Sequence, residues 1–152
     1  MTNIQQSFIQ EFGEAYHRFG LPKLMGRIVG LLLYAEEPLS LDEVTQHLNV
    51  SKGPVSQMLR RLRDRQLIER IWVPGDRRDF YVAAENIFAR AYENQITLVN
   101  ANLDLARRFH KQLSETDARE RPRYKRRLER MLHFYELMLQ HNRSFLKQWK
   151  NQ

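Results

Sequence analysis

Cysteine is absent from all 152 positions. That removes disulfide bridges, thiolate zinc sites and cysteine-based redox sensing from consideration. Long apolar runs are missing as well. No segment is hydrophobic enough to span a bilayer and no signal peptide opens the chain, so a cytoplasmic location without membrane association is expected. Internal repeats and low-complexity linkers are not found. Neither is an HExxH, a GxSxG or a glycine-rich phosphate loop. The five histidines (His17, His47, His110, His133 and His141) are scattered over different predicted helices. His133 and His141 lie near one helix face, but without acidic neighbours they read as seam or surface residues. No histidine groups with Asp or Glu at metal-ligand spacing, so no catalytic site, no metal and no other cofactor is expected.

Positive charge is what the chain has in excess. Lys and Arg number 25 against 18 Asp and Glu, a formal net charge of +7, and the sequence pI is near 10.0. Such a balance favours a polyanionic partner, either nucleic acid or an acidic membrane surface. Its distribution is more telling. Residues 1–50 hold three basic and six acidic side chains, whereas 51–80 hold eight basic and four acidic. A second basic cluster, Arg119, Arg121, Arg123, Lys125, Arg126, Arg127 and Arg130, opens the last predicted helix. That cluster reads either as a solvated helix start or as a flanking phosphate contact.

Residues 40–82 carry the most specific pattern. Ser40 followed by Glu43 is a capping box, in which hydroxyl and carboxylate satisfy orphan amides reciprocally. Leu41, Val44 and Leu48 recur at helical spacing and mark a buried face. Asn49 tolerates the left-handed conformation that a tight turn requires, so the helix should stop there. Val50 is expected to fill the corner, Ser51 to cap the next helix, and Pro54 to sit in its first turn, where a missing amide costs little. In that second helix, about 51–65, Val55, Leu59 and Leu62 form the inward stripe with Met58 beside them. The opposite side carries Ser51, Lys52, Gly53, Ser56, Gln57 and Arg60, flanked by Arg61 and Arg63. Small and hydrogen-bonding residues at a helix front, followed by arginines, suit a helix whose first turns read base edges.

Next come two alternating segments, 67–72 and 79–82, which read as strands. Between them, Pro74-Gly75-Asp76-Arg77-Arg78 is turn chemistry with two guanidinium groups at the tip, placed to reach phosphates or a narrow minor groove. Asp76 can orient one of the arginines by a charge-assisted hydrogen bond. Capped helix, turn, basic helix and strand pair together make the layout of a winged helix-turn-helix.

On these residues, including the Asp-Arg-Arg tip at 76–78, the chain resembles MarR-type transcriptional regulators. The segments FGLPKLMGRIVGLLL at 19–33 and LNVSKGPVS at 48–56, with Pro74-Gly75, are similar to the GbsR branch. The resemblance is specific over about 16–82 and rests on length and helical pattern beyond that. It implies a homodimeric repressor on a pseudo-palindromic double-stranded operator. It also implies that a small-molecule effector can bind between the winged region and the dimer helices. Tyr16, Phe19, Tyr34, Trp72, Phe88 and Tyr92 are the aromatic walls available for one.

The expected architecture is mainly α with a small β-wing, one domain over 1–152. A winged helix-turn-helix core occupies 22–84, and 1–20 with 86–152 form helical dimerisation arms. Phe8, Phe12, Tyr16 and Phe19 make an aromatic stripe on the N-terminal helix, and a further helix should cover 23–36. Gly26 and Gly30 read as close helix packing. A long helix over 86–113 carries Phe88, Tyr92, Val99, Ala106 and Leu113 down one side, then 114–122 reads as a polar break. In the last helix Tyr124, Leu128, Met131, Tyr135, Met138, Asn142, Phe145 and Trp149 form a coiled-coil-like seam, widened by Leu132, Leu139 and Leu146. Three readings therefore stand: a sequence-specific regulator using Ser51, Lys52, Gly53, Ser56, Gln57, Arg60, Arg61, Arg77 and Arg78; a nonspecific chromosome-associated DNA binder; and a helical interaction module without DNA.

Overall fold

The computed structural model describes residues 2–152. In chain order the elements are α1 (Asn3–Arg18), α2 (Lys23–Tyr34), β1 (Leu39–Ser40), α3 (Leu41–Leu48), α4 (Lys52–Asp64), β2 (Ile68–Ile71), β3 (Phe80–Ala83), α5 (Ile87–Gln112), α6 (Glu115–Glu120) and α7 (Pro122–Lys150). Helices dominate and the one sheet is small, as the sequence led us to expect. Two compact units follow each other, one ending at Arg90 and the other running from Ala91 to Gln152, so their boundary falls inside α5.

In the first unit, glycine sets the spacing of α1 on α2. A Cβ added at Gly26 would lie 2.5 Å from the Phe12 carbonyl oxygen and 2.7 Å from the Tyr16 Cβ. One at Gly30 would lie 2.9 Å from the Phe12 Cβ, and one at Gly13 2.8 Å from the Arg27 Cγ. Only hydrogen fits at these three places, so the two backbones approach closely and Ile9 is buried between them. The turn out of α1 is built by Gly20 at φ +77°, with the Leu21 amide donating to the Tyr16 carbonyl at 3.1 Å, a C-terminal stop that needs a left-handed residue.

The core of this unit gathers Met25, Ile28, Val29, Leu31 and Leu32 of α2 with Val44 and Leu48 of α3, Val55, Leu59 and Leu62 of α4, and Ile68 and Phe80 of the sheet. Periodicity identifies the faces of α3 and α4, whereas the strands do not show the expected alternation, with Phe80 and Tyr81 both buried. The sheet itself holds one strand more than expected. Its order is β1-β3-β2, both pairings antiparallel, with Ser40 opposite Phe80 and Ile71 also opposite Phe80. β1 escaped notice because it is two residues long, too short for any alternation to register. Ser40 ends that strand and caps α3 at once, its hydroxyl accepting from the Glu43 amide at 3.3 Å while the Glu43 carboxylate accepts from the Ser40 amide at 2.7 Å.

The second unit is an antiparallel helical hairpin. The Tyr92 hydroxyl donates to Asn142, the Asn102 amide donates to Tyr135 at 3.3 Å, and His110 lies 3.7 Å from Glu129. Pairs early in α5 thus meet late in α7. Two expectations need correcting here. The stretch 114–122 is not simply a break: α6 occupies it, started by Ser114, whose hydroxyl accepts from the Asp117 amide at 3.1 Å. This is the Ser-x-x-acid signature used at Ser40, repeated where polarity hid it. The inward row of α7 is also displaced in part from the expected seam. Leu128, Met131, Leu132, Tyr135, Leu139, Asn142 and Leu146 are its buried or half-buried positions, which keeps Leu128, Met131, Tyr135 and Asn142 of the expected seam, while Tyr124, Met138, Phe145 and Trp149 stay 36–52% exposed. The apolar face is wider than one facing helix can cover, and the leucine-rich side took the contact.

Candidate nucleic-acid interface

The surface opposite the core of α4 is built by rejection. Val55, Leu59 and Leu62 turn inward and are at most 2% exposed, which forces the intervening positions outward at 100° per residue. Ser51, Lys52, Gly53, Ser56, Gln57, Arg60 and Arg61 are all exposed, as are Arg77 and Arg78 at the hairpin tip. Gly53, Gln57 and Arg60 occupy the middle of that outward arc, with Ser56 and Arg61 on its flanks. Asp64 shares the arc at the far end of α4, a negative charge that would keep that last turn away from phosphates.

The turn that presents α4 is fixed from three sides. Asn49 adopts the left-handed conformation at φ 53°, and the Val50 amide donates to the Thr45 carbonyl at 3.2 Å. Arg27 of α2 then reaches across the unit, its Nη2 donating to the Leu48 carbonyl at 3.1 Å. No local pattern could have revealed that brace, because its partners lie 21 residues apart. At the other end of α4, Gln66 takes the left-handed position at φ 60° and the Leu67 amide closes on the Leu62 carbonyl at 3.0 Å.

Ser51 stands at the N-cap of α4 as expected, yet its hydroxyl makes no capping hydrogen bond. The reason is chemical. A capping serine accepts from the amide two or three residues on, and the third residue here is Pro54, which has none. Ser51, Lys52 and Gly53 are exposed at the positive end of the α4 dipole with no capping bond from Ser51, an arrangement suited to a phosphate oxygen. A Cβ added at Gly53 would meet nothing within 4 Å, so the fold does not require glycine there. Glycine leaves the first turn of α4 open at that point.

The basic side chains are not equivalent. Lys52 lies 2.8 Å from Asp42 of α3, with both side chains about half exposed or more. A surface pair so placed contributes little to stability and leaves Lys52 able to exchange Asp42 for another anion. It holds the Asp42 carboxyl below its ordinary range, chiefly through the hydrogen bond from Lys52. Arg78 is clamped more firmly. Its Nε and Nη2 donate to the two Asp76 oxygens at 3.0 and 2.7 Å, its own amide donates to the same carboxylate at 2.9 Å, and its guanidinium lies 5.2 Å from the centre of the Phe80 ring. These donors push the Asp76 carboxyl down to about 2. Arg77 makes no ion pair or hydrogen bond among the described residues. The sequence had assigned Arg77 and Arg78 one common role; the geometry makes Arg78 the shaper of the tip and Arg77 its free cation. Arg70 and Asp79 add a looser tie at 3.5 Å across the base of the loop.

Of the aromatic walls named for an effector, Tyr16 sits 5.9 Å from Phe12 in a row of rings, Tyr34 lies 6.3 Å from Phe8, and Tyr92 packs 4.8 Å from Phe145. Phe19, Trp72 and Phe88 are 60–74% exposed. Among the described residues no group of three His, Asp or Glu side chains could hold a metal ion, and no helix is long and apolar enough to cross a membrane.

Comparison with known proteins agrees with this geometry. Residues 19–79 match the model of the MarR family. YvaV of Bacillus subtilis, provisionally named an HTH-type transcriptional regulator, is 31% identical over 104 residues, which is 66% of this chain and 56% of that protein. The HTH-type transcriptional repressor OpcR of the same organism is 24% identical over 119 residues, 76% of this chain and 64% of the repressor. The chain thus spans less than two thirds of the length of these relatives. A crystal structure described as that of a transcriptional regulator superimposes with a TM-score of 0.80 at 29% identity, covering 97% of this chain and 99% of that one.

Proposed function

We propose that this chain, a MarR-family winged helix over residues 19–79, is a sequence-specific DNA-binding repressor of the GbsR branch that works as a cytoplasmic homodimer. One observation carries the reading. The outward arc of α4 presents Gly53, Ser56, Gln57 and Arg60 uncommitted to any intramolecular ion pair, next to a hairpin tip whose shape is locked by Asp76–Arg78 and whose Arg77 is free.

In this reading α4 enters the major groove. Gln57 and Arg60 meet base edges, Gln suiting adenine and Arg suiting guanine. Lys52 and Ser56 serve as base-edge or groove-wall contacts, while Ser51 and Arg61 hold phosphates and the 74–78 loop lies along the flanking backbone or minor groove. Two α4 helices related by a two-fold axis would meet half-sites one turn apart, about 34 Å, on a pseudo-palindromic operator. Apolar surface on α1 supports the second copy: Ile4 and Phe8 are 75% and 39% exposed along a groove also lined by Phe12 and Ala15.

The test is fluorescence anisotropy of the purified protein with the duplex upstream of its own gene, beside a scrambled duplex, over a salt series. A preference of a hundredfold or more at physiological salt bears out the proposal. Equal affinities that vanish together with salt would reduce it to nonspecific binding. Ligand control is tested separately by calorimetry with choline and glycine betaine, where absence of both heat and a melting shift removes those effectors.

A further inference from the structure

Between Arg107 and Arg130 the chain holds ten basic and four acidic side chains, which is six of its seven net positive charges. The charge that makes this protein basic therefore lies at the closed end of the α5–α7 hairpin, outside the winged helix. Three of the ten cations have acidic partners: Arg107 lies 3.9 Å from Asp104 and Glu136, Arg119 pairs with Glu115, and Lys125 lies 3.8 Å from Glu129. Arg123, Arg126, Arg127 and Arg130 have neither an ion pair nor a hydrogen bond among the described residues, and all four are exposed. They follow one another at spacings of three, one and three, on the side of α7 turned away from buried Leu128.

This arrangement costs the free protein stability in two ways. Like charges three and four residues apart on a helix repel. Cations in the opening turns also oppose the positive end of the helix dipole, and the first turn of α7 contains no acidic residue to offset them. A helix start shaped by folding alone would carry the opposite sign. What removes both penalties is an external polyanion.

We propose that Arg123, Arg126, Arg127 and Arg130 form a second, sequence-independent contact surface for the phosphate backbone of duplex DNA. Eight of the ten cations are arginine, whose planar fork matches phosphate oxygens in pairs. From Arg123 to Arg130 the helix rises about 10 Å, a length over which duplex DNA presents about six phosphates. A lipid surface fits less well. Helices that lie on membranes set cations beside an apolar face along their whole length. Here the outer face is arginine first and apolar only afterwards, at Phe134 and Leu137, which are 58% and 44% exposed.

The test uses the full chain, a 20-base-pair scrambled duplex and a salt series, with Arg123, Arg126, Arg127 and Arg130 all changed to Gln. We expect the slope of log affinity against log salt to flatten by two to four and affinity at 100 mM salt to fall at least tenfold. The preference of this variant for operator over scrambled duplex stays as in the wild type, and its melting temperature is unchanged or higher because the self-repulsion is gone. The double variant Gln57→Ala, Arg60→Ala gives the complementary result, with operator preference lost and most of the salt slope kept. An unaltered slope in the four-Gln protein overturns the inference while leaving the role of α4 standing. So does loss of binding to phosphatidylserine vesicles with duplex binding intact, which would assign the surface to a membrane. Failure of the wild type to bind the scrambled duplex at any salt overturns it outright.

Discussion

Gly53→Ala separates fold from function more sharply than any other single change in the winged region. Gly53 lies in the first turn of α4 with an ordinary negative φ, since the glycines at positive φ are Gly20 and Gly75. Its added methyl would meet nothing within 4 Å. Glycine in a helix gives up about 0.5–1 kcal/mol relative to alanine, so the substitution should stabilise the free protein and raise its melting temperature by about 1–4 °C. On DNA the sign reverses. If the leading turn of α4 approaches the duplex closely, the methyl holds it back from base edges and phosphates at once, and a loss of about 1–3 kcal/mol is expected, roughly five- to 150-fold in affinity. Thermal melting and anisotropy on one preparation read both signs. A variant that melts higher and binds as well as wild type would show that α4 does not dock through its first turn. A variant that melts lower would show that the turn is not the open helix start described here.

Gly26→Ala makes the contrasting case. Its methyl would sit 2.5 Å from the Phe12 carbonyl, so α1 must move off α2 at a cost of about 1–3 kcal/mol, and an unchanged melting temperature would refute the close-packed contact. Gln57→Ala should cost about 1–3 kcal/mol at one operator position only, whereas Arg77→Ala should weaken all duplexes alike and flatten the salt slope by about 1; identical profiles across operator variants would overturn that division. The Asp76 carboxyl, ordinarily near 3.8, is depressed to about 2 by Arg78. Its contribution is therefore complete above about pH 4 and lost as pH falls through 2, so the Arg78 Nε–H resonance should stay fixed from pH 8 to 4, and a transition near neutrality would contradict the clamp. Ile4→Glu with Phe8→Glu, on the exposed apolar surface of α1, should turn the proposed dimer into a monomer at micromolar concentration in sedimentation and cost at least a hundredfold on the operator through lost bivalency; a variant that stays dimeric would move the contact elsewhere.

What the sequence disclosed and what it hid divide along a physical line. Features written in local spacing were legible: the Ser40–Glu43 box, the left-handed Asn49, the inward Val55–Leu59–Leu62 stripe, and the Asp76–Arg78 pair. Features that depend on which distant residues meet were not. Arg27 bracing the Leu48 carbonyl and Lys52 meeting Asp42 are contacts between separate helices. The missing cap bond at Ser51 could have been inferred, because Pro54 stands in plain view three residues on. The seam of α7 was legible only in part, and for a different reason. Its apolar face offered more than one workable row, and only the partner helix decides between Leu139 inside and Met138 outside.

The division of charge explains why a single winged region would be a weak grip. The unit ending at Arg90 has 12 basic and 11 acidic side chains, a formal +1. Within it Lys52 is partly neutralised by Asp42 and Arg78 by Asp76, which leaves Arg60, Arg61, Arg63 and Arg77 as cations without an ion pair around the proposed reading surface. With Arg60 assigned to a base edge, three phosphate contacts by Arg61, Arg63 and Arg77 would correspond to a salt slope of about −2.7, modest for the operator-binding protein proposed here. Near-neutrality has a use, however. In the proposed reading it keeps the nonspecific affinity of the surface low, so that hydrogen bonds from Gln57 and Arg60 would contribute a larger share of the total and discrimination would improve. In the two proposals above, a second copy would double the slope, and the arginine face of α7 would add contacts that do not depend on sequence. Specificity and grip would then reside on different surfaces, and the four-Gln and Gln57→Ala, Arg60→Ala variants weaken one at a time.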